Sequence, residues 1–356
     1  MGIYEKLKRY YDEAYCLGHF PSRRELSAAN HVYFYYGFLG DRNFGDELVF
    51  DAARLLFSPD IVLPVRRRMP AHVALFTRMN KNRFSGIIVG GGTLVGPSLY
   101  DKAFFQELID LGNPVFMHGT GIQKMQVWNQ GWKAFLKRKI FGGVRGPMSV
   151  QNMSGLKNDI KIVGDAAFAF FDPATSGVTD PDSRTVLINL GAHDDFEKIT
   201  EARHALEAFV AQMLEVGANV EFLPCHSIDI ELGLELKQRY PSITMLKVPA
   251  NFAEANAHFR RATFAVGERL HFVVTAILSG CPFLSLNYAK KHEDMLLSVG
   301  LTESGLSPKD VTQEKIRIAF DRRDKIDWKA ANKKLSEFRA TQRQQMSQFR
   351  SRQGLT

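Results

Sequence analysis

Short apolar runs alternate with longer amphipathic segments along most of the chain. The runs His31–Tyr36, Thr185–Leu190 and Ala262–Val266 are rich in β-branched and aromatic residues, which is typical of buried strands. Ile199–Val216 and Ala253–Arg260 instead place apolar residues at helical spacing. This alternation of strand and helix predicts parallel sheets with crossover helices, and therefore an α/β fold.

The chain of 356 residues is long enough for two domains. A polar segment with prolines and a glycine, Phe171–Asp182, is interpreted as the linker between them. The expected divisions are a helical lead-in (1–30), an N-terminal Rossmann-like domain (31–172), a C-terminal Rossmann-like domain (183–305) and a basic helical segment (306–356).

Two basic segments are predicted to form amphipathic helices. Trp132–Ile140 is expected to present a solvated face. The chain from Thr312 onward carries a broken apolar stripe within a polar and basic sequence. The stripe consists of Ile316, Phe320, Leu335, Phe338, Met346 and Phe349.

The formal net charge is +8, and the basic residues are unevenly distributed. Arg66–Arg68, Lys133–Lys139 and the C-terminal segment hold much of the charge, but no nucleic-acid-binding motif accompanies them. We therefore expect no nucleic-acid partner. Attraction to an anionic membrane surface or to a polyanionic acceptor is favoured instead.

The sequence lacks the patterns of a membrane span, a signal-peptide core, a disulfide framework and the common metal motifs. Cys16, Cys225 and Cys281 form no CxxC pair, and there is no HExxH or EF-hand pattern. We expect a cytoplasmic protein, with peripheral contact to the inner face of the membrane as an additional partner. No metal and no cofactor is indicated.

Glycine-rich loops follow several of the predicted strands. A loop from Gly37 leads to a helix that starts near Asp46, and Gly90–Gly92 and Gly119–Gly121 end two further strands. Because glycine in such runs carries an entropic cost, it usually serves the close approach of another group. For Gly90–Gly92 we favour a ligand over tight packing of strand against helix. His118, beside the third loop, is a candidate site residue.

One strand–helix–strand segment concentrates cationic and titratable residues. Arg269 and His271 follow the strand Ala262–Val266, and Lys290 and Lys291 follow the next strand. In open α/β sheets, ligands bind beyond the carboxyl ends of the strands. This placement predicts an anionic substrate and proton transfer.

Taken in order, these strand-end motifs resemble those of the polysaccharide pyruvyl transferase family over residues 32–305. The matching pieces are Gly40–Glu47, Gly90–Thr93, Gly119–Gly121, Val144-Arg145, Gly164–Phe168, and Arg269–His271 with Gly280, Pro282, Tyr288 and Lys291. The resemblance implies a GT-B-like arrangement of two Rossmann-like domains. The first 30 residues and the predicted C-terminal helical extension lie outside it. The resemblance also implies transfer of a pyruvyl group from phosphoenolpyruvate to a sugar or lipid-linked oligosaccharide, usually with formation of a cyclic ketal.

The resemblance also assigns donor-site residues. Arg269 and Arg145, from opposite domains, are expected to hold the anionic groups of phosphoenolpyruvate, because arginine can bind carboxylate or phosphate with two hydrogen bonds. Lys291, rather than the adjacent Lys290, is assigned to phosphate. His271 is expected to be the general acid, and Leu270, between the two catalytic residues, is expected to contact the substrate.

The acceptor side is assigned less specifically. Asn43 and Glu47, with Gly91 and Gly92, are expected to contact the sugar. Asp46 is the preferred catalytic base, and Glu47 and His118 are alternatives for that role.

Two other functions fit the same sequence. A GT-B glycosyltransferase that uses a nucleotide sugar would have the same fold, and Glu268 would then bind the ribose of the donor. A non-catalytic scaffold of a polysaccharide assembly complex would bind through the basic C-terminal segment.

At single positions, the alternatives are an ion pair of Arg269 with Glu268 or another carboxylate, a helix-terminal structural role for His271, and a solvated surface position for Lys291.

Overall fold

The chain forms two compact units in a computed structural model, which describes residues 21–39, 42–65, 84–97, 114–128, 130–137, 139–156, 159–174, 183–191 and 196–351. The first unit comprises Met1–Asp41, Asp46–Ala169 and Glu337–Thr356, and the second comprises Arg42–Gly45 and Phe170–Ser336. The segments 1–20 and 66–68 and most of the predicted linker lie outside the described residues.

The first unit is built on a parallel sheet of six strands. The strands are β1 (Val32–Tyr36), β2 (Ile61–Val65), β3 (Phe84–Val89), β4 (Val115–Thr120), β5 (Ile140–Val144) and β6 (Lys161–Ile162). Their order is β2-β1-β3-β4-β5-β6, and every described pairing is parallel. The accompanying helices are α1 (Arg23–Ala28), α2 (Phe44–Phe57), α3 (Gln130–Leu136) and α4 (Pro147–Met153).

Both faces of this first sheet are buried. Along β1, Phe34 and its alternate neighbours pack into one hydrophobic cluster, whereas Tyr33 and Tyr35 pack into the cluster on the other face. Alternating side chains therefore meet two separate cores, which explains why β1 is apolar or aromatic at every position.

The second unit contains another parallel sheet of six strands. The strands are β7 (Thr185–Asn189), β8 (Asn219–Phe222), β9 (Thr244–Met245), β10 (Ala262–Gly267), β11 (Phe283–Leu286) and β12 (Gly305–Leu306). Its order, β9-β8-β7-β10-β11-β12, is that of the doubly wound Rossmann fold. The helices are α5 (Phe196–Glu215), α6 (Asp229–Arg239), α7 (Phe252–Arg260), α8 (Leu270–Ser279), α9 (Lys290–Val299), α10 (Gln313–Asp321) and, continuing into the first unit, α11 (Trp328–Ser351).

Each sheet has a point where the strand order reverses, and ligand sites of open α/β folds lie there. In the first sheet this point lies between β1 and β3, and β3 is followed by Gly90–Gly92. In the second sheet it lies between β7 and β10, so Gly191 and Arg269 both follow strands that flank it. The motifs that the sequence analysis selected are therefore at the expected edges.

The C-terminal helix α11 contributes to the core of the first unit. Phe349 is fully buried, and its ring centroid lies 5.3 to 6.1 Å from those of four aromatic residues of that unit. These are Tyr33, Phe57, Phe116 and Phe141. The predicted stripe thus has a defined partner, although its members divide between the two units.

One predicted helix differs in extent. The helix expected over Trp132–Ile140 ends at Leu136, and Ile140 begins β5. Trp132 and Phe135 are buried, whereas Ala134 is exposed, so α3 packs its apolar side on the domain as an amphipathic helix does. None of the helices within the described ranges is long and apolar enough to cross a membrane.

Replacement of Phe349 by alanine should destabilise the first unit by about 3–5 kcal/mol, because it removes a fully buried aromatic ring. Denaturant-induced unfolding would measure this loss. Alanine at the exposed Gln348 of the same helix should change the free energy of unfolding by less than about 0.5 kcal/mol. A similarly small effect at Phe349 would contradict the packing of α11.

Candidate active site

Arg269 occupies a turn that is fixed by hydrogen bonds from the neighbouring strands. It is the N-cap residue of α8, directly after β10. Its backbone N–H donates to Asn189 Oδ1 (3.0 Å), and Asn189 Nδ2 in turn donates to the carbonyl of Leu223 (2.9 Å). These two hydrogen bonds connect the ends of β7, β8 and β10 next to the backbone of Arg269.

The guanidinium of Arg269 forms an ion pair with Asp229. Nε lies 3.1 Å from each carboxylate oxygen, and Nη2 also donates to Oδ1. Asp229 is fully buried and accepts hydrogen bonds from the backbone N–H groups of Cys225 (3.2 Å) and His226 (3.0 Å). Burial alone would lower the pKa of Arg269, but its hydrogen bonds with Asp229 and the charge of that carboxylate raise it above the ordinary value.

Asp229 is the residue of this site that sequence reasoning missed. The expected alternative for Arg269 was an ion pair with Glu268 or another carboxylate, and Asp229 is that carboxylate. The available sequence signal was an acidic residue at the start of a helix that follows a strand end. That signal also fits an ordinary helix terminus, so it did not single out Asp229.

One side of the Arg269 guanidinium remains available to a ligand. Nη1 donates to none of the described residues, and 16% of the side chain is exposed. Since Asp229 holds the Nε–Nη2 edge, the orientation of the remaining N–H groups is fixed. A fixed arginine edge of this kind suits a carboxylate or phosphate oxygen.

The adjacent Glu268 is engaged inside the protein. Its Oε1 accepts from Arg203 Nε (3.3 Å), and its Oε2 accepts from Arg203 Nη2 (3.2 Å) and from the backbone N–H of Gly191 (2.8 Å). Glu268 is 1% exposed. Both carboxylate oxygens thus hold the turns after β7 and β10 together.

His271 is the second residue of α8 and lies against Gly45. A Cβ atom added to Gly45 would be 2.2 Å from His271 Nδ1, so the imidazole edge covers the glycine Cα. Leu270, the first residue of α8, is buried. The structure therefore brings His271 and Arg269 together at one helix terminus, as the sequence predicted.

The turn Arg42–Gly45 is placed differently from expectation. The backbone N–H of Phe44 donates to the Cys225 carbonyl (2.8 Å), and that of Ser227 donates to the Arg42 carbonyl (3.3 Å). The turn consequently belongs to the second unit. Asn43, predicted for the acceptor side, uses its Oδ1 to accept from the backbone N–H of Gly45 (3.1 Å) and lies beside the His226 loop.

The two adjacent lysines have different surroundings. Lys290 is exposed and its Nζ bonds to both carboxylate oxygens of Glu293 (2.9 and 2.7 Å). Lys291 is half-buried, and its Nζ lies 4.8 Å from the centre of the Tyr288 ring. The assignment of phosphate to Lys291 rather than Lys290 stays a prediction.

Arg145 is the predicted donor residue of the first unit, at the end of β5. It is 1% exposed, and its Nη2 donates to Thr93 Oγ1 (3.4 Å). A Cβ atom on Gly121 would lie 2.3 Å from the same Nη2. The glycine loops after β3 and β4 thus surround this guanidinium.

The other acceptor-side candidates lie around the first turn of α2. Asp46 and Glu47 are partly exposed within that turn. A Cβ atom on Gly91 would be 2.7 Å from the side chain of Val49, whereas Gly92 has φ = +82° and its Cβ position is 3.9 Å from Asp46 Oδ1. At Gly91 the geometry favours the alternative of strand–helix packing over direct approach of a ligand.

His118 lies in the core rather than at a surface. It is fully buried on the same face of β4 as Phe116, beneath α11. Burial lowers the pKa of His118 to about 4, although the neighbouring Gln342 and Asp165 act in the opposite direction. The imidazole is therefore neutral at pH 7, and this environment favours a structural role over contact with a sugar.

Within the described ranges, no group of three or more His, Cys, Asp or Glu side chains is arranged to hold a metal ion. Among the predicted site residues, Arg145, Arg269 and Lys291 carry cationic groups that suit an anion, and the imidazole of His271 suits proton transfer.

The sequence model of the polysaccharide pyruvyl transferase family matches residues 43–290. The chain belongs to that family. The match includes Arg145, Arg269 and His271 and extends to Lys290, so it confirms the resemblance inferred from the strand-end motifs. No curated protein matches the chain significantly.

Solved structures confirm the fold class of this pyruvyl transferase family member as GT-B-like α/β. The S. aureus MnaA–UDP co-structure has a TM-score of 0.57 at 9% identity, and the alignment covers 92% of this chain and 98% of that one. The UDP-GlcNAc 2-epimerase from Methanocaldococcus jannaschii has a TM-score of 0.53 at 12% identity, with 84% and 92% covered. The UDP-GlcNAc-bound 2-epimerase from Neisseria meningitidis gives 0.54 at 9% identity, with 86% and 94% covered.

The buried His118 should make stability depend on pH. Its folded pKa of about 4 lies below the ordinary value, so the unfolded chain binds the proton first and stability falls as pH decreases from about 6.5 towards 4. Between pH 7 and pH 5, the wild type should lose about 2 kcal/mol more than His118→Leu. Denaturant unfolding at both pH values measures this difference.

His204, which is exposed on α5, provides the control for that comparison. His204→Gln should keep the pH dependence of the wild type. An equal pH dependence in wild type and His118→Leu would show that His118 titrates normally and is not buried as described.

Proposed function

We propose that this protein transfers a pyruvyl group from phosphoenolpyruvate to a pair of hydroxyls on a polysaccharide or its precursor, forming a ketal. The observation that carries the proposal is the Arg269 guanidinium, which Asp229 holds by its Nε–Nη2 edge, at the N-terminus of the helix that carries His271. Family membership supplies the pyruvyl transferase class, and the donor and the ketal are inferred.

Phosphoenolpyruvate requires cations because it carries a carboxylate and a phosphate. The fixed edge of Arg269 suits one of these groups through charge-assisted hydrogen bonds. Lys291, whose ammonium is a compact point charge, suits the phosphate. The backbone N–H groups of the first turn of α8, including that of Leu270, face the same helix terminus and favour an anion further. The family resemblance also assigns Arg145 to the donor, and that assignment remains a prediction.

The chemistry requires protonation of the methylene carbon of phosphoenolpyruvate. His271, two residues after Arg269, is proposed to give this proton. Carbon C2 then develops oxocarbenium character, one sugar hydroxyl attacks it, and the C2–O bond to phosphate breaks. The second hydroxyl closes the ketal. Of the two hydroxyl protons, one restores His271 by way of the base and the other leaves with phosphate.

Asp46 is the proposed base for the acceptor hydroxyl, with Glu47 as the alternative. Both are partly exposed carboxylates in the first turn of α2. A sugar or a lipid-linked oligosaccharide is the proposed acceptor. The exposed lysines of α11, such as Lys329 and Lys333, support the proposal of peripheral contact with an anionic membrane surface.

The nucleotide-sugar alternative depends on a carboxylate that is free to bind ribose hydroxyls. Glu268 was the candidate, but both of its oxygens already accept hydrogen bonds from Arg203 and Gly191. Breaking these bonds inside the protein would leave Arg203 without its buried counter-charge. This favours phosphoenolpyruvate as the donor, although solved GT-B relatives include a UDP complex.

Ligand-dependent thermal unfolding and product analysis test the proposal together. Phosphoenolpyruvate should raise Tm in a concentration-dependent manner, and UDP should not. With a suitable acceptor, the protein should release phosphate and add a pyruvyl group that mass spectrometry detects. His271→Ala should abolish turnover but retain the Tm increase, because it removes the acid and leaves the Arg269 ion pair.

His204→Ala, at an exposed position, is the matched control and should keep wild-type turnover. Stabilisation by UDP with none by phosphoenolpyruvate would refute the proposed donor. Loss of phosphoenolpyruvate binding in a folded His271→Ala variant would contradict the role of His271 as an acid.

A further inference from the structure

Three of the side chains assigned to the site each lie directly against the Cα of a glycine. A Cβ atom on Gly45 would be 2.2 Å from His271 Nδ1, and one on Gly191 would be 2.6 Å from Arg269 Nε. A Cβ atom on Gly121 would be 2.3 Å from Arg145 Nη2. We call Gly45, Gly121 and Gly191 the contact glycines.

Space, rather than backbone conformation, requires glycine at these three positions. None of the contact glycines is among the described residues with positive φ, so an alanine could adopt the backbone angles of each. The residue that an added methyl group would displace is in each case the arginine or the histidine. Glycine-rich loops were expected to allow close approach of a ligand, and at these positions they allow close approach of the ligand-binding side chains.

At Gly45, neither backbone can retreat from the contact. The turn is held by the hydrogen bond from the Phe44 N–H to the Cys225 carbonyl and by the one from Ser227 to Arg42. On the other side, every residue of α8 is buried. A methyl group on Gly45 would therefore be accommodated by rotation of the His271 imidazole, which is the movable part.

At Gly191, hydrogen bonds likewise fix the backbone of the glycine. Its N–H donates to Glu268 Oε2 (2.8 Å), and its carbonyl accepts from Arg203 Nη2. The guanidinium of Arg269 lies between this glycine and Asp229. A methyl group on Gly191 would displace Nε relative to the Asp229 carboxylate. The guanidinium would then rotate, and its available Nη1 edge would change orientation.

At Gly121, the backbone is fixed by its N–H, which donates to the Gly92 carbonyl (2.6 Å). Thr93 Oγ1, the acceptor of the Arg145 hydrogen bond, is also only 2.9 Å from the Cβ position. The same added methyl group would therefore disturb both partners of that bond.

We propose that Gly45, Gly121 and Gly191 are positioning residues, which fix the orientations of His271, Arg145 and Arg269 by leaving the space that these side chains occupy. The assignment of those three side chains to the donor rests on the proposed function. The steric coupling of each glycine to its side chain does not depend on that function, and it can be measured separately.

A double-mutant cycle on thermal stability tests the coupling without any substrate. Gly45→Ala should lower Tm in the wild type but not in a His271→Ala background, where the methyl group has room and alanine favours the helix. The same pattern should hold for Gly191→Ala with Arg269→Ala. Equal Tm losses in both backgrounds would overturn the proposal.

Gly86 provides a matched control for the cycle. An added Cβ there would be 2.7 Å from the Phe349 ring, so this glycine is equally crowded but by a core residue. Gly86→Ala should lower Tm to the same extent with and without His271→Ala. If Gly45→Ala alone does not fold, recovery of folded protein in the Gly45→Ala/His271→Ala variant supports the coupling, and failure of both overturns it.

Kinetics then distinguish positioning from general destabilisation. Gly45→Ala should decrease kcat by about 100-fold with little change in KM for phosphoenolpyruvate, because it misplaces the acid. Gly191→Ala should raise that KM instead, because it turns the anion-binding edge of Arg269. If either variant folds and has the kinetics of the wild type, positioning by that glycine is refuted. If the wild-type protein has no activity towards phosphoenolpyruvate, only the proposed donor is refuted.

Discussion

The ion pair between Arg269 and the buried Asp229 is the interaction on which the candidate site depends. Burying a carboxylate is unfavourable unless its oxygens are satisfied, and here the guanidinium and two backbone N–H groups satisfy them. The pair fixes a long, flexible side chain in one orientation. A prearranged arginine edge loses less conformational entropy when it binds an anion than a mobile one would.

The turn that bears Arg269 uses its two charged residues for different purposes. Glu268 is closed off by Arg203 and Gly191 and joins the ends of β7 and β10. Arg269, the next residue, keeps part of its guanidinium accessible. The Glu268–Arg203 pair therefore supplies rigid support, and the Arg269–Asp229 pair fixes the group that is proposed to bind the ligand. A preorganised site requires both.

The sequence was sufficient for most of the strands and for the placement of the candidate residues at strand ends, because apolar runs and glycine loops are local signals. It did not predict β2 or β12. It did not reveal Asp229, whose partner is 40 positions away. Nor did it place the C-terminal helix, because periodicity shows that Phe349 is apolar but not that it packs on Phe116. The glycine runs were interpreted as positions where a ligand approaches, whereas the structure shows side chains against Gly91, Gly45 and Gly191.

A titration of phosphoenolpyruvate into the wild type and Arg269→Lys tests the central claim most directly. Lysine keeps the charge, but its single ammonium group cannot pair with Asp229 and also present a fixed second edge. The account predicts that the folded Arg269→Lys variant binds phosphoenolpyruvate at least about tenfold more weakly by calorimetry. Equal affinity in the two proteins would contradict the role of the Asp229-held guanidinium in donor binding.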